Sequence, residues 1–227
     1  MRQIGKYIEN KEKRHNQIIV LTMALSVTIF FAIFALLLTK NSLLQNIDDN
    51  VTNFFFLNRV RFLDYFFVTI SYLGETRVIA LFCLILLFLK NRKDVGLPII
   101  SVTAFSAFLN FAIKIAVKRA RPEGFFLTEP TLFCDMPSGF SFPSGHAQTA
   151  SVFYFLIAIF FAQNLSGKNK KMVMVFYTIF CILMCIARVY LGVHFLSDVV
   201  AGLCLAVAID LFSIVLLKSK QMFFEYL

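Results

Sequence analysis

Charge is scarce in this sequence of 227 residues: 15% of them are charged, whereas 59% are hydrophobic. A soluble domain is typically about a quarter charged and about half apolar, so the chain has more apolar side chains than a core of its size can bury. The scarcity of charge therefore excludes an ordinary soluble domain. The 29 phenylalanines and the long apolar runs exclude an intrinsically disordered chain. The composition predicts one domain that lies in a lipid bilayer.

The sequence also lacks the spacings of disulfide scaffolds and metal sites. Five cysteines are present, and all except Cys134 lie inside apolar runs, where packing is their ordinary role. No cluster of carboxylates or histidines has the spacing of a metal-ligand set. We therefore expect no metal and no other cofactor.

Apolar runs divide the chain into six expected spans. About 20 helical residues, at about 1.5 Å each, cross about 30 Å of hydrocarbon. The first run has this length without a charge, and no signal-peptide cleavage pattern accompanies it, so we expect a retained span. The expected spans are residues 18–38, 72–89, 95–117, 146–162, 172–191 and 196–217.

The region between the first two spans fits this pattern less closely. The uninterrupted apolar run of the second span covers only residues 78–89, so we extend the span back to residue 72. The polar stretch 39–61 includes four consecutive apolar residues, 54–57, and is interpreted as an interfacial segment that lies flat on the membrane. The predicted fold is an all-α, polytopic bundle of six transmembrane helices with an interfacial helix after the first span.

The distribution of charge predicts the orientation of this bundle. Six spans place both termini on one face, which includes a tail of about residues 1–17 and carries 13 Lys or Arg against four Asp or Glu. The opposite face carries seven of each sign. Because cytoplasmic loops are rich in Lys and Arg, we expect both termini of this cell-membrane protein to be cytoplasmic. Topology thus explains the net charge of +9, and we expect no nucleic-acid partner.

Ionisable side chains near the ends of several spans converge on the outer face in this topology. Such charges are expensive and are by default functional. Lys114 and Arg121 are seven residues apart, so in a helix they point within about 20° of one direction and can bind one anion. Pro122 is expected to end that helix. Taken alone, this pair is equally typical of cations that anchor a helix at the interface.

Pro-Ser-Gly-His at residues 143–146 directly precedes the fourth span. Ser144 is placed to cap this helix, and the exposed backbone N–H groups beside Gly145 are typical of a phosphate cradle. His146, in the first turn, can donate a proton. The motif is weak alone, because residues 137–139 repeat Pro-Ser-Gly without a histidine and are interpreted as a plain turn.

His194 and Asp198 are four residues apart and share one face of the sixth span. The carboxylate can hold the imidazole in one tautomer and stabilise its cation, which is typical of a nucleophile with its orienting partner. Arg188 can fold over the same site across Gly192. An isolated pair of this spacing is more often a helix-stabilising contact, but a second histidine and three cations here favour catalysis.

Together these residues resemble the three-block signature of the type-2 phosphatidic acid phosphatase family of membrane lipid phosphatases. Lys, six residues and Arg-Pro match residues 114–122, and Pro-Ser-Gly-His matches residues 143–146. The third block, Ser-Arg, five residues, His, three residues and Asp, matches residues 187–198, except that Ala187 stands where serine is usual. That exception affects an auxiliary phosphate contact and not a catalytic group. The resemblance covers about residues 78–217.

The resemblance implies hydrolysis without a metal, in two displacements. His194 is expected to attack phosphorus and form a phosphohistidine, and Asp198 to support its imidazole. His146 is expected to protonate the leaving oxygen and then to help water hydrolyse the intermediate. The groups expected to bind the phosphate oxygens are Lys114, Arg121, Arg188, Ser144 and the amide of Gly145. Three cations suit a transferring phosphoryl group.

A site at the depth of the outer interface favours a lipid phosphate or pyrophosphate, because the lipid tail stays in the membrane. Undecaprenyl pyrophosphate, phosphatidylglycerol phosphate and phosphatidate all fit, and apolar residues of the loop 122–142 are candidates for choosing among them. A lipid A phosphatase, or a phosphotransferase to a lipid acceptor, is an alternative that the motifs do not separate. A non-catalytic protein that binds or transports lipids or anions is the alternative from another class. Oligomeric state and the roles of Asp210 and Cys134 are left unassigned.

Overall fold

A computed structural model describes residues 2–90, 92–122, 138–163 and 165–219. Within these ranges the chain is helical and contains no strand. Its helices are α1 (Arg2–Leu38), α2 (Ser42–Leu57), α3 (Arg61–Leu73), α4 (Thr76–Leu86), α5 (Leu97–Val117), α6 (Ser151–Gln163), α7 (Gly167–Tyr190) and α8 (Leu196–Ser219). Two π-helical turns, Arg92–Gly96 and His146–Ala150, run directly into α5 and α6.

Five helical segments of the described chain are long and apolar enough to cross a membrane. They are Lys13–Leu38, Lys93–Val117, His146–Gln163, Gly167–Tyr190 and Leu196–Leu217. The pair α3 and α4 passes the same test together, with a bend of 42° between the two helices, and makes the sixth span when taken as one broken span. The prediction of an all-α bundle of six transmembrane helices is confirmed.

The second span differs from the expected residues 72–89. It begins with α3 at Arg61, and Gly74 and Glu75 separate α3 from α4. The N–H of Gly74 donates to the carbonyls at the end of α3, which closes that helix. The apolar run does not reveal α3, because α3 carries charged and polar residues and buries only one face.

Helix α2 follows the first span within the region expected to be interfacial. The Asn41 side chain caps it by accepting from the backbone N–H groups of Leu43 and Leu44. Among the helices it packs against are α7 and α8, and its Asp48 and Thr52 are buried there. Its flat placement on the membrane stays a prediction.

Helix α8 packs against α1, α2, α5, α6 and α7. Gly202 permits a close approach to the start of the His146 turn, since a Cβ atom there would lie 2.8 Å from the carbonyl oxygen of Ser144 and 3.0 Å from the Cβ of Ala147. This contact brings the first turns of α8 beside the turn that contains His146.

Large apolar side chains cover the outside of the bundle. Leu21 on α1, Phe108 on α5 and Phe176 on α7 are 68%, 70% and 73% exposed. In a soluble protein such a surface would be costly. On helices of this length it is the lipid-facing surface of a membrane protein.

Candidate active site

Backbone hydrogen bonds join three segments at one end of the bundle. The N–H of Ser141 donates to the carbonyl of Arg119 at 2.8 Å, and the N–H of Ser144 donates to the carbonyl of Asp198 at 3.0 Å. The segment after α5, the segment before α6 and the first turn of α8 are therefore held against one another. The three predicted sequence blocks come together here.

His194 and Asp198 are coupled through a third side chain, the hydroxyl of Ser141. His194 Nδ1 lies 3.5 Å from Asp198 Oδ2, whereas Ser141 Oγ lies 3.2 Å from Nδ1 and makes a short hydrogen bond to Oδ2. A carboxylate only accepts, so the Ser141 proton points to Asp198 and His194 Nδ1–H donates to Ser141 Oγ. This arrangement leaves an unprotonated Nε2 on His194.

Arg121 lies beside that Nε2 atom. Its Nη1 is 3.3 Å from His194 Nε2 and donates to the carbonyl of Val193 at 2.7 Å. Its Nε donates to the carbonyl of Gly139 at 3.1 Å. Lys114 reaches the same segment, with its Nζ donating to the carbonyls of residues 140 and 141 at 2.7 Å and 3.1 Å.

The route by which Lys114 and Arg121 meet differs from the predicted one. Helix α5 ends at Val117, and Lys118 closes it with a left-handed φ of 51°. Arg121 therefore lies beyond the helix, not in its last turn, and the expected common helical direction does not apply. Gly139, interpreted as part of a plain turn, has a φ of 84° and supplies a carbonyl to Arg121.

His146 and Arg188 both contact Ser71, at the C-terminal end of α3. His146 Nε2 lies 3.0 Å from the Ser71 carbonyl oxygen, so Nε2 carries a hydrogen and donates. Arg188 donates through Nη1 to the Ser71 hydroxyl. Arg188 is 5% exposed, and its carbonyl accepts from the N–H of His194 at 3.3 Å. One residue of α3 thus holds the predicted proton donor and a predicted phosphate ligand.

Ser144 contributes to the start of the His146 turn chiefly through its backbone. Its carbonyl accepts from the N–H of Gln148 at 3.0 Å, while its hydroxyl lies 3.5 Å from the N–H of Ala147. Gly145 already has helical φ and ψ, so Ser144 makes the capping contacts expected of it, although the hydroxyl contact is long. A Cβ at Gly145 would lie 3.3 Å from Asn110 Oδ1, so the glycine allows a tight approach to α5.

The electrostatic surroundings of His194 keep its ring neutral. Burial lowers the pKa of His194 well below its ordinary 6.5, and the positive charges of Arg188, Arg121 and Lys114 lower that pKa further. The residue is 2% exposed. A neutral imidazole with an unprotonated Nε2 among three cations can attack an electrophile that carries negative charge.

Comparison with known proteins identifies the family. Residues 95–222, more than half of the chain, match the family model described as the PAP2 superfamily. The chain belongs to the PAP2 superfamily. It is 32% identical over 185 residues to phosphatidylglycerophosphatase B of Bacillus subtilis (strain 168), covering 79% of this chain and 87% of that protein.

Two further matches agree with this assignment. The chain is 30% identical over 177 residues to undecaprenyl-diphosphatase of Sulfolobus acidocaldarius, covering 75% of this chain and 79% of that protein. Its fold resembles the crystal structure of the first transmembrane PAP2 type phosphatidylglycerolphosphate phosphatase from Bacillus subtilis, with a TM-score of 0.74 and 28% identity, covering 88% and 98% of the two chains. The predicted family and the prediction of an enzyme, a phosphoric monoester or diphosphate hydrolase, are confirmed. The chain is a multi-pass membrane lipid phosphatase.

In this PAP2 enzyme the structure adds residues that the sequence prediction missed. They are Ser141, Ser71, Arg119, Asp48 and Ser197. Arg119 lies within the first sequence block, but only the fold shows what it contacts. Ser141 precedes the second block by two residues, which is the only local signal for it.

Ala187, where the family usually has serine, lies in a buried apolar cluster of this PAP2 enzyme with Phe67, Val68 and Tyr190. Among the described residues, no three His, Cys, Asp or Glu side chains are placed to bind a metal ion. The metal-free reaction stays a prediction. Cys134 and residues 123–137 of the loop expected to influence substrate choice lie outside the described residues.

Asp210 lies apart from this site on α8. It is twelve residues beyond Asp198, about 18 Å along the helix. It is 4% exposed, and its Oδ1 has no hydrogen-bond partner among the described residues. Asp210 has no part in the reaction proposed for His194.

Proposed function

We propose that this PAP2 enzyme hydrolyses a phosphomonoester or pyrophosphate on a lipid head group through a phosphohistidine at His194. The observation that carries the proposal is the state of that side chain. Its ring is buried and neutral, Nδ1 is hydrogen-bonded to Ser141, and Nε2 lies beside Arg121. This is the state in which an imidazole is a nucleophile.

In the first displacement His194 Nε2 attacks phosphorus, and the bond from phosphorus to the leaving oxygen breaks. His146 begins this step protonated on both ring nitrogens; it gives one proton to that oxygen and becomes neutral, so the lipid leaves as an alcohol or a monophosphate. The ring of His194 becomes positively charged, and Asp198 stabilises that charge through Ser141. Lys114, Arg121 and Arg188 hold the phosphoryl oxygens; Ser144 and the Gly145 amide complete the cradle.

In the second displacement water attacks the phosphohistidine. His146 accepts a proton from this water as the new oxygen–phosphorus bond forms and the nitrogen–phosphorus bond breaks. Inorganic phosphate leaves, and His194 returns to its neutral form. No atom or charge is left over at the end of the cycle.

The membrane supports a lipid-borne substrate. The site lies at the end of helices whose outer surfaces are apolar, so a substrate in the bilayer brings only its head group to the cations. Phosphatidylglycerol phosphate, phosphatidate and undecaprenyl pyrophosphate are the proposed substrates, and two of the similar proteins are named for the first and third. The sequence asymmetry of 13 cations against four acids supports the proposal that the termini are inside and the site is outside, at the extracytoplasmic face.

The decisive experiment is phosphate release from a panel of diacyl, isoprenyl and saccharolipid phosphates by the purified enzyme with excess chelator. We expect release from at least one lipid and loss of release in His194→Ala, while His15→Ala, which changes an exposed histidine, behaves like the parent. Activity abolished by the chelator would contradict the metal-free scheme. Turnover that requires an added lipid acceptor would identify a phosphotransferase.

The intermediate and the orientation are tested separately. Substrate labelled in its phosphate is expected to leave label on the protein that survives base and is lost in acid, and His146→Gln is expected to accumulate it. On intact cells, with Cys134 replaced by serine, a membrane-impermeant thiol reagent is expected to label Lys118→Cys directly and Lys168→Cys only after permeabilisation. The reverse pattern would contradict the outward-facing site.

A further inference from the structure

Arg119 joins two buried carboxylates from distant parts of the chain. Its Nη2 donates to Asp48 Oδ2 at 2.7 Å, and its Nη1 donates to Asp198 Oδ1 at 2.6 Å. Both carboxylate side chains are fully buried, and the Arg119 side chain is 10% exposed. The guanidinium also lies 4.2 Å from the centre of the Phe195 ring. A planar, forked cation is needed for this geometry, because a point charge cannot bond both carboxylates in the same way.

Ser197 completes the link between α2 and α8. Its N–H donates to Asp48 Oδ1 at 2.9 Å, and its hydroxyl donates to Asp48 Oδ2 at 2.5 Å. The same hydroxyl accepts from Arg119 Nη1 at 2.7 Å. Buried charges persist only where such bonds satisfy them. The cluster is therefore a fixed connection from α2 to the first turn of α8, which carries Asp198.

The two oxygens of Asp198 face different partners. Oδ1 accepts from Arg119, whereas Oδ2 accepts from Ser141 and from the N–H of Phe195 at 2.9 Å. With Oδ1 held by Arg119, the carboxylate cannot rotate away from Ser141 and His194. Arg119 thus determines which edge of Asp198 supports the nucleophile.

We propose that Arg119, held by Asp48, is a positioning residue that fixes Asp198 for the phosphorylation of His194. Arg119 acts through Asp198 and touches neither the proposed nucleophile nor the phosphate. The inference rests on the proposed role of His194 and adds a requirement for α2, which lies outside the three sequence blocks.

Charge explains why Asp48 is part of the arrangement. Arg119 with Asp198 alone would be a neutral pair, and a neutral pair stabilises a new positive charge on His194 poorly. Asp48 adds a second carboxylate, so the cluster of three side chains carries one net negative charge. That charge balances the imidazolium that forms when Nε2 bonds to phosphorus.

The test compares Arg119→Lys and Asp48→Asn with matched neighbours. Lys118→Asn removes a cation from an exposed position of the same segment and keeps a residue that tolerates its positive φ. Asp49→Asn removes an exposed carboxylate next to Asp48. We expect both site variants to lower kcat about 10- to 100-fold with KM within about threefold of the parent, and both controls to match the parent.

Two readouts separate positioning from a structural role. In single-turnover reactions the rate of phosphohistidine formation is expected to fall by the same factor as kcat, measured per folded protein in a monodisperse fraction. Free guanidinium at millimolar concentration is expected to restore part of the activity of Arg119→Ala and none of that of Asp198→Ala. If Arg119→Ala does not fold, Arg119→Lys and Asp48→Asn give the same comparison.

Site variants that turn over at the rate of their controls would overturn the proposal. So would a loss confined to the amount of folded protein, with kcat per folded molecule unchanged. Failure of the proposed function has a different signature, because His194→Ala would then keep its activity whatever the result at Arg119.

Discussion

The His146 ring occupies the space that a side chain at Gly74 would need. A Cβ atom at residue 74 would lie 2.5 Å from Cδ2 of that ring. The same Cβ would lie 2.7 Å from Sδ of Met184. Gly74 also ends α3, three residues after Ser71, whose carbonyl accepts from His146 Nε2. The break in the second span therefore gives His146 both its space and its hydrogen-bond partner.

Gly74→Ala is expected to lower kcat by about 10-fold or more, because the ring can make room for a methyl group only by leaving the Ser71 carbonyl. The buried Met184 side chain must shift as well, so some loss of stability is expected and the rate is taken per folded protein. Phosphate release at saturating lipid measures the effect. KM is expected to change little, since the cations proposed to bind phosphate are untouched.

The control for this variant is Leu73→Ala, on the same turn, where the side chain is 38% exposed. It removes more atoms than Gly74→Ala adds, yet it is expected to keep the parent rate. A Gly74→Ala enzyme with parental kcat would show that the ring position is not critical.

The spans were predictable because each depends on a local run of apolar residues, and five of six were placed by such runs. Helix α3 was not predictable in this way, because its first turn contains Arg61 and Asp64 and its apolar side chains cover only part of the helix surface. The sequence blocks predicted which residues of α5, α7 and α8 meet. They could not predict the partners from α2 and α3, since Asp48 and Ser71 reach the site through contacts with residues more than 70 positions away.

Ser141→Ala tests whether the hydroxyl couples His194 to Asp198. Without it, Nδ1 lies 3.5 Å from the carboxylate, which is long for a hydrogen bond. We expect kcat to fall about 10- to 100-fold, because a charge-assisted hydrogen bond that supports the imidazolium is lost. The rate of phosphohistidine formation in a single turnover is the measurement.

Ser138→Ala is the matched control for Ser141→Ala. It removes the same hydroxyl from an exposed serine three residues earlier on the same segment. Ser138→Ala is expected to keep the parental kcat, so that the kcat values of the two variants differ by the full 10- to 100-fold expected for Ser141→Ala. Equal rates would mean that Asp198 supports His194 without the hydroxyl.

Ser71→Ala is expected to weaken substrate binding more than chemistry. The variant removes the hydroxyl that accepts from Arg188 and keeps the backbone carbonyl that accepts from His146. Arg188, the proposed phosphate ligand, is then less firmly oriented, so KM should rise about threefold to 10-fold while kcat stays within about twofold. Thr69→Ala, an exposed hydroxyl on the same helix, is the control. A fall in kcat with unchanged KM would assign Ser71 to proton transfer instead.

The pH dependence of the reaction follows from the depressed pKa of His194. Attack requires the neutral ring, so the acid limb of kcat/KM is expected below pH 6.5, the ordinary value for histidine. The unfolded chain binds this proton more readily than the folded one, so His194 also removes stability as the pH falls below about 6.5. Thermal unfolding at a series of pH values measures this loss of stability. The loss is expected to be smaller in His194→Gln than in the parent.

Arg121→Gln provides the sign test for this pH dependence. Burial is the largest cause of the depressed pKa of His194, and the charges of Arg188, Arg121 and Lys114 act in the same direction. Removing the charge of Arg121 should therefore raise the pKa of His194 and move the acid limb of the residual kcat/KM to higher pH. Arg77→Gln removes a cation whose side chain is 82% exposed, and its acid limb is expected to stay at the parental pH. A limb that moves to lower pH in Arg121→Gln would show that His194 is not the group whose protonation stops the reaction.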